Sequence, residues 1–415
     1  MNSSADVIVI GGGVIGLSTA FELSKYGVKV VLLDQSEPGK GCSYGNAGWL
    51  TPCFGVPLPR PGMLLKSAKW LLDPLSPLYI QPQLNFMFAQ WMLRFLRSMR
   101  AHQERKSTAA LTELCSFSLR EFESLESDVN HSFGFTRKGL ILLAQNEKES
   151  LAAELEMKFM AEFGIQGKAL GSSEIKEMEP AITGKNTGGI FFPDQAHVEP
   201  YEVCQAYLKG CIGNGVIIHN STEVFSFETS QNRIKSIQTT RGSFSADNIV
   251  LATGSWSTSL GRQIGLRLPV LGGKGYSLIL EQLPRAPKIP IMIMGKKIAI
   301  TPRAQGVRLA GTLELVHQDF SITQRRVGAS LKGSQECISI PENVKVEEVW
   351  RGLRPCTSDG MPIIGFSKNF SNLFINTGHQ MTGLKTAPAS AVLAKDLLLR
   401  KAPQFDPAPF AANRF

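Results

Sequence analysis

The sequence predicts an α/β fold in which a parallel-sheet layer is interleaved with an α+β lobe built on a mixed or antiparallel sheet. Three observations predict it. A strand, glycine turn, helix and strand occupy residues 6–34, two further buried strand patterns lie at 248–254 and 373–378, and short β-type runs separate them. Because parallel strands bridged by a helix form layered folds, we expect these three pieces to share one sheet.

The first piece carries the clearest local signals. Residues 7–10 are a run of four aliphatic side chains typical of a buried strand, and an amphipathic helix is expected from about 13 to 26. A second strand is expected at 28–33, and it ends on Asp34. The unit is therefore a β-α-β element with an acid at the end of its second strand.

Two later patterns complete the layer. NIVLATG at 248–254 and LFINTG at 373–378 are apolar runs that end in a glycine turn, as buried parallel strands do. A helix is expected from about 386 to 400 with Pro388 in its first turn, where proline is favoured. The tail 402–415 is rich in Pro and Ala and predicts a surface extension.

The inserted lobe begins with helices and continues with short strands. After a loop rich in Gly, Ser and Pro at 39–62, helical signals resume near Met63. Longer helices are expected at roughly 84–103, 107–127 and 147–163. Strands of an antiparallel sheet are expected at 140–143, 189–192, 276–280, 297–300 and 307–310.

A chain of 415 residues is too long for one compact core, so two lobes are expected. Because the parallel strands come from separated stretches, we assign 1–56, 197–262 and 349–415 to one discontinuous domain. The second domain, which would bind the substrate, then comprises 57–196 and 263–348. No single cut separates the two.

Composition and charge exclude some classes of protein. With 43% hydrophobic and 19% charged residues, the chain is neither disordered nor collagen-like. Its 44 basic against 35 acidic side chains give a net charge of +9, which suits nucleic acid, anionic lipid, acidic ligands or simple solubility. Seven scattered cysteines without a C-x-x-C pair, together with isolated histidines, predict neither a disulfide framework nor a metal site.

No secretory signal precedes the first strand and no run of 18 apolar residues occurs, so a cytoplasmic location is expected. The segment 84–106 complicates this expectation because it combines an aromatic and Met face with regularly spaced arginines. Such a helix either lies on the inner face of a membrane or packs on the sheet with its arginines solvated. Within it, 94–106 carries five basic residues and one acid, a charge of +4.

A glycine motif follows the first strand. Gly11, Gly13 and Gly16 form G-x-G-x-x-G, and Asp34 lies 18 residues after Gly16. Such glycines allow a tight turn, close approach of a pyrophosphate and close packing of helix on strand, while the helix N-terminus attracts the phosphates. The Asp34 carboxylate would accept hydrogen bonds from a ribose and disfavours a 2′-phosphate. The motif predicts a dinucleotide site and leaves FAD and NAD open.

Several further segments resemble flavoproteins of the D-amino acid oxidase superfamily, above all the bacterial D-amino acid dehydrogenases. They are GCSYGNAG at 41–48, IVLATGSWS at 249–257, RLAGTLE at 308–314, GLRPCTSDGMPIIG at 352–365 and NTGH at 376–379. These segments occur in order along the chain. The resemblance implies a two-lobed flavoprotein with a Rossmann-like FAD-binding domain and non-covalently bound FAD.

The resemblance also implies which residues contact the cofactor. The expected pyrophosphate and ribose contacts are Gly11, Gly13, Val14, Ile15, Gly16, Asp34 and Gln35. Those expected along the flavin are Gly41, Cys42, Ser43, Asn46, Ala47, Gly48, Gly378, His379, Gly383 and Leu384. Val224 is expected at the adenine, and Thr253, Gly254 and Trp256 beside the diphosphate.

Three residues are candidates for the chemistry. Arg354 matches the arginine that clamps the substrate carboxylate in the family, although a strand arginine paired with Asp359 or Glu348 is the structural alternative. Tyr276 is a candidate phenol or a core residue. His379 is expected to contact the flavin through its backbone more than to act as a catalyst.

Two positions depart from what the resemblance implies. The sequence IAIT at 298–301 occupies the place where glycine oxidases have a carboxylate-binding tyrosine, which argues against a glycine oxidase. Lys385 stands near the loop of Gly378, His379 and Gly383, at a position where an uncharged residue is expected.

The implied reaction is oxidative deamination of an amino acid, expected to be a D-amino acid such as D-proline or D-hydroxyproline. Hydride would pass from Cα to flavin N5, water would hydrolyse the imino acid to a 2-oxo acid, and a quinone or another non-oxygen acceptor would take the electrons. One alternative is an oxygen-using glycine or sarcosine oxidase that forms hydrogen peroxide. Another is a basic anion- or nucleic-acid-binding module. The oligomeric state is left open.

Overall fold

The computed structural model describes residues 5–61, 78–80, 86–316 and 319–415. The helical signal near Met63, residues 84–85 of the basic segment and His317 lie outside these ranges. The described chain is a mixture of helices and of parallel and antiparallel sheets.

The first sheet has six strands and confirms the predicted layer. Five of its strands run parallel in the order β10-β2-β1-β14-β21, and β20 pairs antiparallel with β21 at the edge. Every residue of β2 is buried, because helices or a small sheet cover both faces of the layer. The strands are β1 Ala5–Ile10, β2 Val30–Leu33, β10 Ile217–His219, β14 Ala246–Leu251, β20 Ile363–Phe366 and β21 Leu373–Thr377.

The second sheet has nine strands and is mixed, as predicted for the inserted lobe. Its order is β19-β15-β18-β17-β16-β6-β8-β7, and β4 pairs with β18 off this path. Its strands are β4 Leu78–Ile80, β6 Leu140–Ala144, β7 Lys168–Leu170, β8 Gly188–Phe192, β15 Val270–Leu280, β16 Ile291–Ile293, β17 Ile298–Pro302, β18 Val307–Val316 and β19 Val346–Thr357.

Two three-stranded sheets complete the strands. The first contains β3 Trp49–Leu50, β5 Thr136–Arg137 and β9 Ala196–His197. The second is an antiparallel meander of β11 Val224–Ser230, β12 Arg233–Thr239 and β13 Gly242–Phe244.

The helices are α1 Val14–Ser24, α2 Phe86–Ser98, α3 Ala101–Val129, α4 Glu147–Ala161, α5 Ser172–Met178, α6 Pro200–Gly213, α7 Ser257–Gln263, α8 Gln324–Gln335 and α9 Gly383–Leu398. Short 3-10 turns lie at Pro52–Phe54, Gly254–Trp256 and Ala408–Phe410. The break between the two long helices lies at residues 99–100, earlier than predicted, and Arg100 there is extended (φ −103°).

The last helix corrects the prediction of its start. It begins at Gly383, three residues before 386, so Pro388 lies inside it. A proline there lacks an N–H and disturbs the hydrogen bonds of the turn around it. Ser118 compensates from α3, because its Oγ accepts from the Ala389 N–H at 3.1 Å.

Helix α2 packs its aromatic side on the second sheet. Trp91 and Phe95 are buried there against Leu313 and Leu315, and Trp91 Nε1 donates to the Cys356 carbonyl at 3.2 Å. The opposite side exposes Phe86, Leu93, Leu96 and Arg97, and the exposed Arg100 follows the end of the helix. Of the helices described, none has the length and apolar character needed to cross a bilayer.

Candidate active site

A cavity of about 460 Å³ lies at the carboxyl ends of the central parallel strands. The residues that follow β1, β2, β14 and β21 all line it, and among them are Gly11, Asp34, Ala252 and Gly378. Ligands of open parallel sheets bind at this edge, where loops from several strands converge. The topology therefore brings together segments that are hundreds of residues apart in sequence.

The glycine turn is shaped to admit a ligand. Gly11 has φ +105°, and a Cβ there would lie 2.6 Å from the Ala252 carbonyl oxygen. A Cβ on Gly16 would lie 1.8 Å from the Gly11 carbonyl oxygen, so only glycine permits this packing of α1 on β1. Gly13 has no crowding of this kind, and its bare backbone lines the cavity.

The N-terminus of α1 faces the same cavity. Its N-cap residue, Gly13, offers no side chain to the free N–H groups, and the first turn contains no acidic residue. Ser43 Oγ accepts from the Val14 N–H at 3.0 Å and joins the loop after β2 to this helix end. Free N–H groups and the positive end of the helix dipole make the site suitable for a pyrophosphate.

Asp34 is held in place by the backbone around it. Oδ2 accepts from the Gly12 N–H at 2.5 Å, and Oδ1 accepts from the Ser36 N–H at 2.7 Å. Asp34 lines the cavity beside Gln35. This position suits recognition of a ribose.

The wall after β14 presents a polar atom without a protein partner. Thr253, Gly254 and Trp256 line the cavity there, as does Val224 from β11. Ser255 Oγ, on the same wall, is buried and has no hydrogen-bond partner among the described residues. A buried hydroxyl without a partner is costly, so it fits a site completed by a bound ligand.

The wall after β21 contains His379. Its Nε2 lies 3.1 Å from Ser390 Oγ in α9, and the side chain is buried. Burial lowers the pKa of His379 to about 3, so its imidazole is neutral at physiological pH. Gly378, Gly383 and Leu384 line the cavity beside it.

The loop from Gly41 to Gly48 is fixed by residues for which the sequence predicted no role in the site. Arg308 Nη1 donates to the Asn46 carbonyl at 3.1 Å, while its Nη2 pairs with Glu199 at 3.2 Å. Thr301 Oγ1 donates to the Ala47 carbonyl at 2.8 Å. An arginine within an apolar strand is a signal for such a role, although the sequence does not reveal its partner.

Arg354 lies on β19 between Leu353 and Pro355, both of which line the cavity. Its Nη1 donates to the Thr312 carbonyl at 2.9 Å, and burial lowers its pKa. Neither alternative partner is available: Asp359 pairs with Arg414, and Glu348 accepts from the Tyr44 hydroxyl at 3.1 Å. In the described part of the chain, Arg354 forms no ion pair.

Tyr276 is not brought to this cavity. Arg354 lies over Gly275, and successive residues of a strand point to opposite faces, so Tyr276 points away from Arg354. The tyrosine is 1% exposed within a core cluster, and its hydroxyl accepts from the Thr323 N–H at 3.2 Å. This is the core position that the sequence left open as its alternative.

Most residues expected at the cofactor line this one cavity. They are Gly11, Gly13, Val14, Ile15, Asp34, Gln35, Gly41, Cys42, Ser43, Asn46, Val224, Thr253, Gly254, Trp256, Gly378, His379, Gly383 and Leu384. Gly16, Ala47 and Gly48 are not in its lining. In sequence they directly follow lining residues, Ile15 for the first and Asn46 for the other two. In the ranges that the structure describes, no group of three or more His, Cys, Asp or Glu side chains could hold a metal ion.

Comparison with known proteins decides the family. The model of the FAD dependent oxidoreductases matches residues 6–397. The chain belongs to the FAD dependent oxidoreductase family. The cavity fits the cofactor of this FAD dependent oxidoreductase, because the bare glycine turn, the open helix end and the unpartnered Ser255 hydroxyl match a dinucleotide. This assignment replaces the alternative of a basic anion- or nucleic-acid-binding module.

Relatives of this FAD dependent oxidoreductase span at least 93% of its length. It is 30% identical to the D-amino acid dehydrogenase of Chromohalobacter salexigens over 99% of each chain, and 32% identical to that of Vibrio atlanticus over 93% of this chain and 94% of the other. The glycine oxidase of Geobacillus kaustophilus has a TM-score of 0.80 at 25% identity over 99% of each chain. These proteins confirm the predicted fold class.

Proposed function

We propose that this enzyme oxidises the amine-bearing carbon of a D-amino acid and passes the electrons to an acceptor other than oxygen. The observation that carries the proposal is Arg354, a partly buried guanidinium with no carboxylate partner among the described residues, on the strand whose Leu353 and Pro355 line the cofactor cavity. A buried cation without a counter-ion is costly, and a substrate carboxylate would supply the missing charge. The relatives named D-amino acid dehydrogenase support the choice of substrate.

The positions of the side chains indicate which role the cofactor and each residue would have in the reaction. Bound FAD supplies the two-electron acceptor for oxidation of the substrate. Arg354 has five N–H donors, of which the Thr312 carbonyl takes one, so the rest of its planar fork remains for a carboxylate. Holding the carboxylate fixes the substrate relative to the loop 41–48. His379, neutral and bonded to Ser390, shapes the adjoining wall.

The substrate class is tested by anaerobic mixing of the yellow protein with D- and L-amino acids, D-proline, D-hydroxyproline, glycine and sarcosine. We expect a D-amino acid, with cyclic ones among the best, to bleach the flavin fastest. Bleaching by L-amino acids alone would contradict the proposal. Arg354→Met should raise the KM for the same substrate, since the neutral side chain cannot pair with its carboxylate.

The electron acceptor has one competing candidate, oxygen. The glycine oxidase fold neighbour supports that alternative. Residues 298–301 argue against it, because they lack the carboxylate-binding tyrosine of glycine oxidases, and Thr301 there donates its hydroxyl to the Ala47 carbonyl. Peroxide release and reduction of a quinone analogue are compared on the same preparation. A peroxide rate that equals the quinone rate would favour the oxidase.

We further propose that α2 touches a membrane surface from the cytoplasmic side. Its aromatic side is not available, since Trp91 and Phe95 are packed in the protein. Support comes from the opposite side, where Phe86 is 76% and Leu93 48% exposed on the helix that carries Arg97, with Arg100 just after its end. Apolar side chains flanked by cations suit an interface with anionic lipid.

A further inference from the structure

Lys385 is a buried cation next to the cofactor cavity. It lies in the first turn of α9, directly after Gly383 and Leu384, which line the cavity. Only 7% of Lys385 is exposed. Its side chain reaches the 3-10 turn Pro52–Phe54, which follows the loop 41–48 in the chain.

The ammonium group of Lys385 is surrounded by hydrogen-bond acceptors. Nζ donates to the Phe54 carbonyl at 3.0 Å, to the Thr51 carbonyl at 3.3 Å and to Thr51 Oγ1 at 3.4 Å. Three acceptors match the three N–H donors of a protonated lysine, and the two carbonyls can only accept. The Phe54 ring adds a cation–π contact, with 5.7 Å between Nζ and its centroid.

No anion in the described part of the chain neutralises this charge. Burial lowers the pKa of Lys385, whereas the two backbone carbonyls that accept from Nζ favour its protonated form. The titratable groups that act on it are the thiols of Cys53 and Cys115. Burial raises the pKa of Cys115 to about 11 and that of Cys53 further, so both thiols are uncharged at neutral pH. Glu156, which acts on Cys53, is paired with Arg60. The field of Lys385 therefore extends into the adjoining cavity with little screening.

We propose that Lys385 is an electrostatic tuning residue that favours the reduced, negatively charged flavin over the oxidised one. Reduction leaves negative charge on the ring, and a nearby positive charge stabilises it. The lysine lies in the helix turn whose positive end faces the cavity, so both fields act in the same direction. The inference rests on FAD binding in this cavity and does not depend on the proposed substrate.

The experiment measures the flavin directly, without substrate. Lys385→Gln keeps two N–H donors for the turn at Thr51 and Phe54 but removes the charge, whereas Lys385→Met removes both. The matched control is Lys395→Met, which removes a lysine from the same helix that is 7% exposed and paired with Asp396 at 2.6 Å. The readouts are the midpoint potential, by equilibration with reference dyes, and the dissociation constant of sulfite, whose attack on flavin N5 places negative charge on the ring.

Both Lys385 variants should bind sulfite about tenfold more weakly than the wild type, and a tenfold change in a two-electron equilibrium corresponds to about 30 mV. Their midpoint potentials should fall, while Lys395→Met should leave both quantities near the wild-type values. Wild-type behaviour of Lys385→Gln in both measurements would overturn the proposal. Loss of flavin from both variants would also overturn it, because Lys385 would then serve the structure alone. Amino acid turnover decides the proposed function separately.

Discussion

The guanidinium of Arg354 lies over Gly275 on the neighbouring strand, so close that a Cβ at position 275 would be 1.9 Å from Nη1. The same Nη1 donates to the carbonyl of Thr312, a residue with φ +58°. Two residues of β18, at 312 and 313, stand opposite Gly275 alone, and this bulge turns the Thr312 carbonyl toward the arginine. The backbone of two strands therefore positions Arg354.

A methyl group at position 275 should displace the arginine. We expect Gly275→Ala to raise the KM for the amino acid substrate about 10- to 100-fold, the cost of losing hydrogen bonds to a charged group. Flavin content should stay unchanged. Gly311→Ala is the control, since a Cβ there would have its nearest contact at 3.5 Å. Steady-state kinetics measure the effect, and an unchanged KM in Gly275→Ala would show that Arg354 does not bind the substrate.

The glycine turn should control cofactor retention. Gly11→Ala would place a Cβ 2.6 Å from the Ala252 carbonyl oxygen in a left-handed conformation, at a cost of a few kcal/mol. We expect at least about a 100-fold loss of FAD affinity, measured by absorbance at the flavin band and by titration of apoprotein. Gly328→Ala in α8 is the control, because its Cβ would meet nothing within 4 Å and the residue does not line the cavity. Equal retention by both variants would contradict this account.

His197 should make the free energy of unfolding decrease as the pH falls below about 6.5. Burial lowers its pKa to about 4, whereas an unfolded histidine titrates near pH 6.5. Between these values the unfolded state binds more protons, so unfolding becomes easier as pH falls. The full stabilisation from this group is present above about pH 6.5 and is lost toward pH 4.

The comparison that isolates this effect is His197→Gln against wild type, by urea unfolding at pH 7 and pH 5. The wild type should lose about 2 kcal/mol more than the variant, following about 1.4 kcal/mol per pH unit below 6.5. The exposed His102→Gln variant should behave as the wild type. A pH dependence that is identical in all three proteins would exclude His197 as the source.

The exposed side of α2 predicts binding to anionic vesicles. The wild type should float with vesicles that contain phosphatidylglycerol, less with phosphatidylcholine alone, and less at high salt. Replacing Phe86 and Leu93 together by Ser should weaken binding several-fold, because these side chains supply exposed apolar surface. Leu151→Ser on α4, also an exposed leucine, is the control. If the wild type does not float with the vesicles at any lipid composition, membrane contact is contradicted.

Local sequence signals were reliable where the chemistry is local. The strand before Gly11, the close approach of Gly16 to the Gly11 carbonyl and the place of Asp34 after β2 depend on nearby residues, and the structure has them as predicted. The start of α9 was misplaced because Pro388 is favoured in a first turn, whereas Ser118 from a distant helix makes it acceptable in the interior.

The sequence by itself determined the interleaved α/β architecture and the dinucleotide edge of the parallel sheet, since hydrophobic periodicity and glycine geometry act over short distances. Only the tertiary structure decided which charges are paired. In the structure Tyr276 lies in the core, Asp359 pairs with Arg414, and Glu348 accepts from Tyr44. Lys385 is buried and donates to backbone carbonyls. Such choices depend on contacts between residues up to hundreds of positions apart, and the free energy of a buried charge depends on those contacts rather than on its own place in the chain.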